Sequence, residues 1–225
     1  MKTILITGTF LLSSFFGCAQ IILGGSIFGG ISALKSDREE GRIGSSYFWD
    51  FQRSFALGGF AQYKINAVIS IQADLLYNQH QYLEGYTITQ WFPEDRGFHW
   101  HRAAHHVSIP ILIQFQLKKA YLSAGLQGSY LFHQKTTHTS FGYPDSPNES
   151  IWTDRGDLNP FNLEFAGGIG YQTTKNLRIE ARALIGSTNR MNRELGHTYL
   201  AYSTQFILGF SYSIWKASSY ETIDN

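Results

Sequence analysis

Ala67-Val68-Ile69-Ser70-Ile71-Gln72-Ala73-Asp74-Leu75-Leu76-Tyr77-Asn78 separates into two faces when it is read every second residue. The odd positions carry Ala67, Ile69, Ile71, Ala73, Leu75 and Tyr77; the even ones carry Ser70, Gln72, Asp74 and Asn78 among Val68 and Leu76. Period two is the signature of a strand with unlike faces. Twelve residues suffice to cross a bilayer as a tilted strand, which needs ~9–11.

The pattern recurs along the chain. In His106–Leu117, Val107, Ile109, Ile111, Ile113, Phe115 and Leu117 share one face, against Ser108, Pro110, Gln114 and Gln116. In Leu177–Ile185, Leu177, Ile179, Ala181, Ala183 and Ile185 oppose Arg178, Glu180 and Arg182. Phe55–Ile65, Tyr121–Phe132, Phe161–Tyr171 and Phe206–Ile214 repeat it, and Ile21–Ala33 forms a glycine-rich first strand, which makes eight.

The connections alternate in length. Ile65-Asn66-Ala67, Lys118-Lys119-Ala120 and Thr173-Thr174-Lys175-Asn176 read as tight hairpins, whereas about 34–52, 81–104, 134–159 and the shorter 190–198 read as long loops. A membrane barrel has this asymmetry, with short periplasmic turns at one rim and long extracellular loops at the other. The expected fold is therefore all-β: an eight-stranded antiparallel up-and-down transmembrane β-barrel spanning residues 20–215.

Aromatic residues sort by height. Tyr63, Phe115, Tyr171, Tyr212 and Trp215 fall near the short-turn rim, and Phe55, Tyr77, Tyr130, Phe132, Phe161 and Tyr202 near the long-loop rim. Two girdles around an aliphatic band suit the two membrane interfaces. Composition agrees: 16% of residues are aromatic and only 16% charged, where a soluble domain has about a quarter charged. Beyond residue 20 no apolar run approaches the length of a membrane helix. A net charge of +1 without a basic patch argues against nucleic acid as a partner.

Residues 1–19 read as a cleaved signal peptide, with Lys2, an apolar run from Ile4 to Phe16, and small residues at Gly17 and Ala19. Cys18, the only cysteine, would leave with it; retention as an acylated lipobox cysteine is the alternative. Residues 216–225 read as a short polar tail.

Phe55-Ala56-Leu57-Gly58-Gly59-Phe60, Ile71–Asn78, Val107-Ser108-Ile109-Pro110-Ile111-Leu112-Ile113, Tyr121-Leu122-Ser123-Ala124-Gly125-Leu126, Ala166–Tyr171 and Ile207–Tyr212 together resemble the PorT-like outer-membrane β-barrel family. Asp74 and Ser108 stand where that family usually carries Glu. The resemblance implies a barrel inserted into the outer membrane of a Gram-negative envelope by the barrel assembly machinery. It implies neither catalytic residues nor a cofactor.

Each candidate site competes with a plainer reading. Gly167-Gly168-Ile169-Gly170 lies inside a strand and lacks the spacing of a nucleotide loop. His99, His101 and His105 present imidazoles that suit zinc or copper, but a loop entering a strand with histidines at the interface is the preferred reading, and no metal is assigned. A hydrolase or acyltransferase would use His80, His133 or Ser129, candidates by position only. A small-solute channel and a soluble lipocalin-like barrel are the other rivals, because alternation alone does not say which face is inside. The long loops carry Tyr47, Phe48, Trp49, Phe51, Tyr82, Tyr86, Trp91, Phe92, Trp100, Phe141, Tyr143 and Trp152, suited to a glycan or protein ligand or to capping the barrel. Asp74, Glu164, Arg178, Glu180 and Arg182 are expected to form an interior charge network that plugs the lumen, with Glu164 and Arg182 meeting across a hairpin.

Overall fold

The computed structural model describes residues 20–36, 45–88, 96–141, 149–152, 158–187 and 201–218. The signal-peptide expectation for residues 1–19 lies outside them. Among the described residues nine strands follow in order: β1 (Gln20–Ser36), β2 (Ser45–Lys64), β3 (Ile69–Ile88), β4 (Arg96–Leu117), β5 (Ala120–Phe141), β6 (Glu149–Trp152), β7 (Phe161–Gln172), β8 (Leu177–Gly186) and β9 (Ala201–Ser218). Eight of them form a closed antiparallel ring, β1-β2-β3-β4-β5-β7-β8-β9, sealed by the pairing of β1 with β9. The short β6 pairs with the distal part of β5, outside that ring.

Which face is inside is now decided. The apolar residues point out: Leu75 is 60% exposed, Ile111 56%, Phe165 60% and Leu208 59%. Their polar neighbours Gln72, Asp74, Ser108, Gln114, Gln127, Glu164 and Glu180 are buried in the lumen. A water-soluble lipocalin-like barrel has the opposite polarity, and soluble domains rarely expose so large a contiguous apolar wall. Phe115, Tyr171, Tyr212 and Trp215 are exposed around the short-turn rim, and Phe55, Tyr77, Phe132, Phe161 and Tyr202 around the other.

The short turns are built by local chemistry. Asn66 Oδ1 accepts from the amides of Val68 (2.8 Å) and Ile69 (2.7 Å), and Thr174 Oγ1 accepts from that of Leu177 (3.0 Å). Between β4 and β5, Lys118 takes φ 58°, the left-handed region a two-residue hairpin demands.

Two expectations need correction. Part of each segment read as a long loop, 34–52, 81–104 and 134–159, is strand: β2 starts at Ser45, β3 runs to Ile88, β4 starts at Arg96 and β5 runs to Phe141. Beyond the distal girdle β2–β5 therefore continue as a wall. Roughly ten residues at ~3.3 Å each, tilted by about 40°, raise it about 25 Å above the membrane surface. Here the outer face no longer needs to be apolar, so the alternation that marks a spanning strand disappears while the backbone ladder goes on. The tail is also shorter than read, because Lys216, Ala217 and Ser218 pair with Ile22, Ile21 and Gln20.

Candidate functional site: the lumen and the projecting wall

All five residues assigned to the interior network are buried in the lumen: Asp74, Glu164, Arg178, Glu180 and Arg182. Each lies at the parity opposite the exposed aliphatic band. Arg182 of β8 bridges two carboxylates, Nη1 to Asp74 Oδ2 at 2.5 Å and Nε to Glu180 Oε1 at 2.6 Å. Its guanidinium also lies 4.7 Å from the centre of the Phe28 ring.

Glu164 is not Arg182's partner. The β7–β8 register sets Gly168 opposite Arg182 and Gly186 opposite Glu164. Glu164 instead accepts hydrogen bonds from Gln127 Nε2 (2.7 Å) and Ser203 Oγ (2.6 Å).

Arg178 joins the network through amides. Its Nη1 donates to Gln62 Oε1 (3.2 Å), Gln62 Nε2 to Gln114 Oε1 (2.8 Å), Gln114 Nε2 to Gln72 Oε1 (2.9 Å) and Gln72 Nε2 to Asp74 Oδ1 (2.6 Å). From Asp74 the circuit returns through Arg182 and Glu180 to the Tyr121 hydroxyl, which donates to Glu180 Oε2 at 3.1 Å. The Tyr121 ring lies 5.7 Å from the Arg178 guanidinium and the Phe60 ring 4.5 Å from it. A side chain at Gly170 would overlap the Tyr121 ring, and one at Gly24 the Phe60 ring, so those two positions need glycine for space.

Above this circuit the lumen turns apolar. Phe28, Ala56, Leu76, Leu112, Ala166, Leu184 and Ile207 meet in one buried cluster. A second polar layer follows, with Asn78 Nδ2 donating to Ser108 Oγ (2.5 Å) and His80 edge-on to His106 at 4.9 Å. Higher still, Arg102 pairs with Glu84 at 3.0 Å beside the cluster of Leu34, Tyr82, Ala104, Leu131 and Leu158. Gln62, Tyr121, Glu84 and Arg102 are lumen residues that the sequence reading missed. Extending the parity of Asp74 to Glu84, and of Ser108 to Arg102, would have found the last two.

On the outer face of β4, His99, His101 and His105 follow one another at every second or fourth position without converging. Among the described residues no group of three or more His, Cys, Asp or Glu side chains is placed to hold a metal ion. His105 meets His133 of β5 instead, with ring centres 5.3 Å apart. On the wall, partial burial and then the charge of neighbouring His101 lower the His99 pKa below its ordinary 6.5. The hydrolase candidates do not assemble: His80 and Ser129 are buried in the lumen, whereas His133 is exposed on the opposite face. Of the aromatics assigned to loops, Tyr82 is buried inside the wall, and Trp100 packs near Phe98 and His138. Trp91, Phe92 and Tyr143 lie outside the described residues.

Several solved structures are similar to the chain. The attachment invasion locus protein Ail of Yersinia pestis, crystallised with the heparin analogue sucrose octasulfate, is 13% identical over 88% of this chain and 99% of its own, with a TM-score of 0.45. OprG of Pseudomonas aeruginosa is 12% identical over 88% and 96%, with a TM-score of 0.37. The outer membrane protease OmpT of Escherichia coli is 11% identical over 88% and 96%, with a TM-score of 0.34. No curated protein matches the sequence significantly. The model of one family, described as the outer membrane protein beta-barrel domain, matches residues 20–189. With a closed ring, an apolar outer wall and that match over most of its length, the chain belongs to the outer membrane β-barrel domain family.

Proposed function

We propose that the protein is a non-enzymatic, PorT-like surface protein of the outer membrane, exported by a cleaved signal peptide and inserted by the barrel assembly machinery. Its lumen is a structural plug, and its work is done outside, where the projecting wall and its aromatic-bearing connections take a glycan or a protein ligand. The observation that carries the plug is the apolar layer of Phe28, Leu76, Leu112, Leu184 and Ile207, which separates two polar layers of the lumen. An ion following the polar side chains would lose its hydration at that layer without a replacement ligand. Support for the surface role comes from the wall, whose height exceeds what spanning requires.

The test pairs two measurements on purified barrel. In planar bilayers no steady single-channel steps are expected; porin-sized conductance would move the chain to the channel class. On a glycan array and against extracellular proteins, the full barrel is expected to bind a ligand that a variant with residues 83–101 replaced by a two-residue turn does not. Equal binding by both would exclude the β3–β4 wall as the binding surface.

A further inference from the structure

His105 and His133 face each other across β4 and β5 just beyond the distal aromatic girdle. Their meeting depends on an irregularity. Towards the membrane His106 pairs with Leu131, but from His105 outward the register has moved by one, and Phe132 is left without an opposite residue. In the regular register His105 would face Phe132. The bulge re-aims the strand so that one imidazole lies opposite another, a use to which bulges are often put beside functional sites. The other outward histidines of β4 gain nothing comparable, since His101 lies opposite Thr137 and His99 opposite Thr139.

The separation suits a metal ion. An imidazole bound at ~2.0–2.1 Å through a ring nitrogen has its centre about 3.2 Å from the ion, so two at the tetrahedral angle have centres about 5.2 Å apart. His105 and His133 stand at 5.3 Å with their planes at 51°. His105 is also oriented from behind: Tyr77 of β3 places its hydroxyl 2.6 Å from His105 Nδ1. With the proton on Nδ1 and donated to Tyr77, the Nε2 lone pair is free for a ligand, the outer hydrogen bond that metal-binding imidazoles characteristically make. We infer that His105 and His133 form a two-imidazole site on the barrel's outer surface for a first-row divalent transition ion, Cu²⁺ or Zn²⁺, with water completing the coordination.

The test uses the folded full barrel in detergent, stripped with a chelator and titrated with Cu²⁺ or Zn²⁺. One tight equivalent is expected, with Cu²⁺ resonance showing coupling to two imidazole nitrogens. His105→Ala and His133→Ala should each abolish the tight equivalent, although both barrels keep heat-modifiable gel mobility. Tyr77→Phe should weaken it about 10-fold or more, as loss of an outer partner does. His101→Ala should leave it unchanged. Full affinity in His105→Ala or His133→Ala, an equal loss in His101→Ala, or no tight equivalent in the parent barrel would each overturn the site.

Discussion

Arg182 of β8 reaches across the lumen to Asp74 of β3, 108 residues away in sequence, and holds its carboxylate at 2.5 Å. The two strands are not neighbours in the ring, so this contact ties opposite walls together where backbone hydrogen bonds cannot. Removing one partner of a buried ion pair leaves an uncompensated charge, at a cost of about 3–5 kcal/mol. Arg182→Leu should therefore lower the unfolding free energy of the barrel, from urea titration in lipid vesicles, by an amount in that range. Adding Asp74→Asn and Glu180→Gln should recover much of the loss, while adding Glu164→Gln should recover none. Recovery by the Glu164 change would reassign Arg182's partner.

The outer face can be tested at β9. Phe210 is 51% exposed and lies between Ile27 of β1 and Ile179 of β8. A lysine there puts a charge among acyl chains, costing roughly 2–4 kcal/mol near the membrane midplane. Phe210→Lys should accumulate as an unfolded form in the gel-shift assay, whereas Ser211→Ala, facing the lumen, should insert normally.

Gly170→Ala asks whether the Tyr121 ring is held in place. Its methyl group would overlap that ring, so either the ring moves away from Arg178 or β7 shifts. Overpacking of this kind costs about 1–3 kcal/mol. The double variant Gly170→Ala, Tyr121→Leu should be closer to the parent in thermal unfolding than Gly170→Ala alone.

The wall should loosen in acid. His99 has a lowered pKa in the folded protein, through burial and then the charge of His101, so between that value and the ordinary 6.5 the unfolded wall binds more protons than the folded one. Its contribution to stability is present above about pH 6.5 and lost as pH falls through the folded pKa. Once divided by the intrinsic rate, which itself falls with pH, amide exchange in β4 around His99 should be faster at about pH 5 than at about pH 7.5, an excess that reports the loosened wall. His99→Gln should remove that excess.

The spanning strands are legible in the sequence because the bilayer imposes one rule on every second residue, as Ile69, Ile71, Ala73 and Leu75 show. Alternation alone does not say which side that face takes, since the same pattern serves a soluble barrel turned inside out; the alternating loop lengths and the two aromatic girdles point it outward. The wall escapes notice for a related reason. His99, His101, Ala103 and His105 point outward into water, where nothing selects apolar residues, so a continuing strand looks like a loop. The lumen residues can be named, but not paired. Glu164 is the nearer choice for Arg182 along the chain, and only the strand order shows Asp74 across the ring to be its partner.

Ring closure has a kinetic consequence. Ser26 and Ser211 hydrogen-bond at 2.9 Å across the β1–β9 seam, 185 positions apart, so the first strand stays unpaired along one edge until the last arrives. No sequence of hairpins adding one after another can finish the molecule; the last step joins the chain's two ends, and its loop-closure entropy makes it slow. During that interval β1 offers a row of bare amides and carbonyls, the template on which chains aggregate or exchange strands. Disulfide staples placed across the seam should shorten the slowest folding phase, while staples across any hairpin should leave it untouched.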